Sequence, residues 1–284
     1  MKLRTVQKQT HIETIPVGPF TVKQPLPAPG LDQVSPFILL HHAGPATHAP
    51  GALQARLSPH PHRGFEPVTF LFLGGLHHRD SLGSEGFLQG GDVQWMTAGS
   101  GIIHSEGPSA QFAAEGGIME LIQLWVNLPR GNKMTKPKYQ DIKADSIPHL
   151  ELNGFSFRVV AGELAGATGP ASTFTPMLAA TATFTEGATV ELPFDPDWNV
   201  LVYVLDGSLQ AGAETLAGSN LGVFRTDGEG ISLAALSGGR LLLLAGQPIS
   251  EPMVSYGPFV MNYEGELRKA VLDFHEGRMG VLEA

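Results

Sequence analysis

The 284-residue chain is long for one compact β domain and comfortable for two, and with 42% apolar against 16% charged residues it can bury large cores, which argues against disorder. A formal charge of −9 with scattered basic residues lacks the footprint that phosphate backbones require, which disfavours direct nucleic-acid binding. There is no cysteine, so disulfides, thiolate ligation and thiol catalysis are excluded, and any metal must be held by imidazole and carboxylate.

The N-terminal segment MKLRTVQKQT has no apolar run after its basic residues, and no stretch approaches the ~20 apolar residues of a membrane span, so the chain reads as soluble and cytoplasmic. Short runs rich in Val, Ile, Phe and Leu then alternate with Gly, Pro, Asp and Ser, as in PVTFLFLGG, GDVQWMTAG, IMELIQLWVNLP, WNVLVYVLDGSLQ and RLLLLAGQP. Such spacing predicts antiparallel barrels or sandwiches with few helices.

In FILLHHAGP, His41 and His42 are adjacent, so their side chains leave opposite faces of a strand and at most one can face a pocket. The same holds for His77 and His78, of which His78 is the better candidate. The alternative for all four is a solvent-facing or hydrogen-bonded histidine. The HRD string beginning at His78 also occurs in kinase catalytic loops, but no glycine-rich phosphate loop or DFG accompanies it.

The run HPHRGFE places His60 and His62 on either side of Pro61, which forces His60 toward an extended conformation. Extended chains put residues i and i+2 on one face, so the two imidazoles project together, as two ligands of one metal must. The run GDVQWMTAGSGIIHSE ends in His104 and Glu106 at the same spacing. Two such pairs on neighbouring strands could converge inside a barrel. Glu66 shares the parity of His60 and His62 and competes with Glu106 for the carboxylate position, unless a turn at Arg63 and Gly64 breaks that parity. As a non-ligand, Glu66 would orient an imidazole. Three imidazoles and one carboxylate leave an open position, and the set suits Fe(II), with Mn, Co, Ni, Cu and Zn as competitors.

Further along, Trp95, Met96, Trp125 and Phe65 are candidates to line an aromatic pocket, although strand aromatics more often belong to the core. Gly91, Gly99 and Gly101 read as turn glycines. The polar segment RGNKMTKPK, Arg130 to Lys138, is the best linker, which puts a boundary near Tyr139: residues 1–138 as one domain and 139–284 as the other. VTFLFLGGL and LVYVLDGSL each read as strand, glycine turn, strand, so the halves look like duplicates. Eight of the eleven histidines lie between His41 and His104, and none lies between Leu150 and Phe274. Only the N-terminal half can therefore hold a histidine-ligated metal. Near the end, Leu267, Val271 and Phe274 fall at i, i+4 and i+7 of EGELRKAVLDFHEG, which predicts a helix laid on a barrel.

The strings HPHRGFE, GDVQWMTAGSGIIHSE, IQLWVNLP and GPFVMN, in that order, resemble those of the pirin family of bicupins over nearly the whole chain. The resemblance implies an all-β fold of two cupin-type barrels with a short C-terminal helix. It implies one metal, usually iron, in the N-terminal cupin, held by the residues aligned with His60, His62, His104 and Glu106, and a metal-free C-terminal cupin. It favours Glu106 over Glu66 as the carboxylate and makes Gln123 a polar pocket residue. Two positions depart from the family: His41 stands where an acidic residue is common, and Pro67 where Thr is usual. The first lies near the expected pocket mouth and bears on substrate preference.

Two activities follow from the resemblance. Some pirins are similar to quercetin 2,3-dioxygenases, which open a flavonol ring with dioxygen and release carbon monoxide, and Glu106 would then act as general base. Eukaryotic pirins act instead as metal-dependent partners of transcription factors, and a chain of this charge would pair with a basic protein partner.

Overall fold

The β-branched and aromatic runs form strands throughout, and the computed structural model describes residues 1–10, 13–18 and 20–283. The strands fall into two compact units, each built around one seven-stranded and one four-stranded sheet. This repeated construction is the duplication suggested by VTFLFLGGL and LVYVLDGSL. In both places a strand (Phe65–Leu73, Asn199–Asp206) reaches a glycine at positive φ, Gly74 or Gly207, and re-enters as a new strand.

One unit comprises residues 14–23, 37–144 and those from 249 onward. Its larger sheet runs in the order Lys138–Ile142, Val93–Thr97, Phe65–Leu73, Gly117–Asn127, Phe37–His48 before its edge strands. Its smaller sheet runs Leu57–His62, Ile102–Pro108, Gly75–Asp80, Glu85–Gln89. Leu71 and Met119 of the first sheet pack against Leu76 and Leu88 of the second.

The other unit comprises residues 1–13, 24–36 and 145–248. Its interior is filled by side chains from both of its sheets, among them Phe155, Phe157, Val202, Leu209, Leu233 and Leu243, all fully buried. Among the described residues this unit holds no group of side chains that could bind a metal ion.

A single cut near Tyr139 does not separate these units. The segment read as a linker forms a 3₁₀ turn at Arg130–Asn132, and the next residue, Lys133, is buried and donates hydrogen bonds to three main-chain and side-chain oxygens. Lys138–Ile142 then pairs with Val93–Thr97, so the first barrel continues to Ala144. Polar and Gly/Pro-rich composition marks a loop, but does not distinguish a free linker from one tied down by its own side chain.

The terminal helix, Glu264–His275, also belongs with the N-terminal barrel rather than with residues 145–248. The Glu266 carboxylate accepts the Asn262 and Tyr263 N–H groups at 3.0 Å and so starts the helix. Leu267 and Ala270 pack on Ile103, Phe259 and Met261, with Val271 and Phe274 alongside. Arg63, next to His62, forms a 2.9 Å ion pair with Asp273 on the same helix. A second, six-residue helix at Ala110–Glu115, capped by Ser109, carries no apolar periodicity and was not expected.

Candidate metal centre

The four-stranded sheet of the N-terminal barrel sets the site by register. His104 lies opposite His60, and Ile102 opposite His62, on antiparallel neighbours. On the far side of the same strand, His104 lies opposite Asp80 and Glu106 opposite His78. Because side chains alternate along a strand, these registers bring the imidazoles of three strands to one face of one sheet.

His60, His62 and His104 each offer one ring nitrogen within 4.8 Å of the others, and their ring centroids lie 4.4 to 4.9 Å apart. Glu106 is not part of that group. Its Oε1 lies 3.8 Å from His104 Nδ1 and 3.6 Å from His78 Nδ1, and these three residues form a second group sharing His104. The Gln94 side-chain amide donates to the same Glu106 oxygen.

The fit to a cation rests on unpartnered atoms. His62 Nδ1 and His104 Nε2 are buried with no hydrogen-bond partner. Buried polar atoms are ordinarily satisfied, so two orphaned nitrogens beside a third imidazole are what a missing ligand would complete. His60 Nδ1 lies 2.8 Å from the Ser58 carbonyl, which fixes the ring and leaves Nε2 available. Burial, and then His60, hold His62 well below its ordinary value. Burial, with His62, His60 and His78, does the same to His104. Both rings are thus neutral at pH 7, the form that ligates.

Glu66 lies in neither group. Gly64 at φ +86° turns the chain between His62 and Phe65, and a Cβ there would come 1.9 Å from the Val260 carbonyl oxygen. The turn sends Glu66 to the larger sheet, where Thr97 Oγ1 donates to it at 2.7 Å. Burial pushes its carboxyl up to about 7 against that hydrogen bond. Its partner is a hydroxyl, not the imidazole expected.

The cluster opens into a cavity of about 290 Å³ lined by His60, His62, His104, Glu106, Gln123 and Trp125 together with His41 and apolar side chains such as Phe20, Leu39 and Leu121. Phe65, Trp95 and Met96 are core residues instead, at most 1% exposed. His42, which leaves the opposite face from His41, is buried against Glu120 at 3.2 Å.

Four residues around Glu106 were not singled out from sequence. Gln94 donates to Thr69 Oγ1 at 3.0 Å as well as to Glu106, and Tyr139 donates to Gln94 Oε1 at 3.2 Å. Asp80 lies 3.4 Å from His78 Nε2. The signal for Asp80 was present, since His78 and Asp80 have the same i, i+2 spacing that selected the other two pairs.

Two barrels of this topology, one with an imidazole cluster beneath an apolar cavity and the other with an apolar core, define a bicupin. Residues 19–126 match the family model described as Pirin, and residues 179–280 match the Pirin C-terminal cupin domain. The chain belongs to the pirin family. A Pseudomonas aeruginosa protein provisionally named a quercetin 2,3-dioxygenase is 40% identical over 86% of both chains. The Rattus norvegicus protein named pirin is 35% identical over 91% of this chain and 87% of its own. A crystal structure titled quercetin 2,3-dioxygenase from Acinetobacter baumannii superposes with a TM-score of 0.94 at 38% identity, covering 99% of this chain and all of that one.

Proposed function

We propose that the chain is a metal-dependent dioxygenase that opens the ring of a flavonol-like aromatic enol, with His60, His62 and His104 as ligands of one divalent ion and Glu106 as further ligand and general base. The observation that carries this reading is the pair of orphaned nitrogens on His62 and His104 at a cavity that also holds a carboxylate. The names of the Pseudomonas and Acinetobacter relatives support the reaction class. Fe(II) is the ion we favour for this mixed imidazole and carboxylate set, and a reducing cytoplasm suits both that ion and a chain without cysteine.

A bound divalent ion supplies Lewis-acid stabilisation of an enolate oxygen. The protein supplies the rest. Trp125, 5.4 Å from His62 ring to ring, lines the cavity and supplies an aromatic wall for a planar ligand. Apolar walls exclude water and strengthen every charge interaction inside. Glu106 accepts the proton of the enol hydroxyl, and the Gln94 amide, already donating to Oε1, keeps the carboxylate in place for it. In the net reaction one dioxygen enters, two ring carbon–carbon bonds break, and the products are a ring-opened ester and carbon monoxide.

The test is consumption of quercetin and oxygen by metal-loaded protein. His62→Ala and Glu106→Gln are both expected to abolish turnover. Turnover unchanged by His62→Ala excludes the proposed site.

A further inference from the structure

The proposed reaction makes no direct use of His78, yet this residue is fully buried and stands directly opposite Glu106 on the neighbouring strand, as Asp80 stands opposite His104. Its ring is fixed on three sides. Nε2 lies 3.4 Å from Asp80 Oδ2, while Asp80 Oδ1 accepts the Leu82 and Ser84 N–H groups at 2.9 and 3.0 Å. One ring face stacks on Tyr139 at 4.6 Å and 18°. Nδ1 then reaches 3.6 Å from Glu106 Oε1 and 3.5 Å from His104 Nδ1. Tyr139 also bonds Gln94, which donates to the same Glu106 oxygen. Glu106 is therefore held from two directions by groups that share one aromatic support.

We propose that His78, anchored by Asp80 and Tyr139, is a positioning residue that points Nδ1–H at the Glu106 carboxylate and fixes it beside His104, whose own Nδ1–H faces the same oxygen and so leaves Nε2 unprotonated toward His60 and His62. This rests on the reading of the three-histidine group as the metal centre. A competing role is direct ligation. His78 Nδ1, His104 Nδ1 and Glu106 Oε1 form a triangle with sides of 3.5, 3.6 and 3.8 Å. An ion at its middle would stand about 2.1 Å from each atom, a normal bond length. Positioning is favoured because the orphaned nitrogens, on His62 and His104, belong to the other group, whereas His78 Nε2 faces Asp80 at 3.4 Å and Nδ1 faces Glu106 at 3.6 Å.

Co(II) loading distinguishes the two without any substrate. Wild type is expected to bind one equivalent. His78→Ala should still bind one, with affinity lower by roughly 10- to 100-fold and a changed visible spectrum, as loss of a ligand's orienting partner typically produces. His78→Gln should recover much of that loss, and Asp80→Asn, which acts only through His78, should shift both readouts in the direction of His78→Ala. Should His78→Ala not fold, the Gln and Asn variants carry the comparison. Wild-type affinity and spectrum in folded His78 and Asp80 variants would overturn the proposal, as would two equivalents in wild type falling to one in His78→Ala. A wild type that binds no Co(II) removes the metal centre itself, while failure to turn over a flavonol leaves the binding result standing.

Discussion

The Lys133 ammonium donates a 2.8 Å hydrogen bond to the carbonyl of Gly64, two residues beyond His62. It also donates to Asn127 Oδ1 at 2.5 Å and to the Val260 carbonyl at 3.0 Å, so a buried amine holds the turn that follows His62 through neutral oxygens alone. Lys133→Met leaves those three oxygens buried without a donor. Stability is expected to fall by about 2 kcal/mol, read as a lower urea midpoint.

The same lysine imposes a pH slope. Burial pulls its pKa from 10.5 down to about 7, so between those values the unfolded chain holds a proton that the folded chain has released. Stability therefore rises with pH across that window, and at or below pH 7 the folded state bears the full cost of the buried charge. Urea melts at pH 7 and pH 9 should show the rise in wild type and a smaller one in Lys133→Met.

Asp273 anchors the terminal helix to Arg63, and both side chains are almost wholly buried. Removing the carboxylate strands the guanidinium, so Asp273→Ala should melt about 5 °C lower by calorimetry. Burial raises the Asp273 carboxyl, but hydrogen bonds from Arg63 and Lys269 outweigh it and hold the group below its ordinary 3.8. A depressed folded value stabilises above the unfolded value and loses that contribution as pH falls through the folded one. The gap between wild type and variant should accordingly close in acid.

Gly64 has no tolerance for a side chain. Gly64→Ala combines φ +86° with a 1.9 Å approach to the Val260 oxygen, and a loss of about 3 kcal/mol is expected, accompanied by weaker metal binding because His62 and Arg63 move with the turn.

Trp125 forms a cavity wall without belonging to either group of candidate ligands. Trp125→Ala should raise the KM for a flavonol about tenfold while metal content stays at the wild-type level. A fall in metal content would mean that the ring serves His62 rather than the substrate.

The repeated i, i+2 pairs make the imidazole cluster legible in the sequence, because strand geometry alone fixes which side chains share a face. What the pairs did not fix was the cross-strand register. That register puts Glu106 opposite His78 and Asp80 opposite His104, and it is a property of long-range pairing that no local pattern encodes. The two barrels were visible in the strand spacing and the histidine gap. Their limits were not, since Lys133 turns a linker-like segment into a fixed loop and Arg63 draws the terminal helix to the first barrel. Gln94 is not legible in the sequence because a lone amide in a strand has no periodic partner to mark it.

Metal content per chain in wild type and His104→Ala, with far-UV circular dichroism on the same samples, bears most directly on the centre. Among the described residues His104 is the one common to both groups that could hold an ion. About one divalent ion per chain in wild type and none in a folded His104→Ala is the expected result; equal metal in both proteins would contradict it.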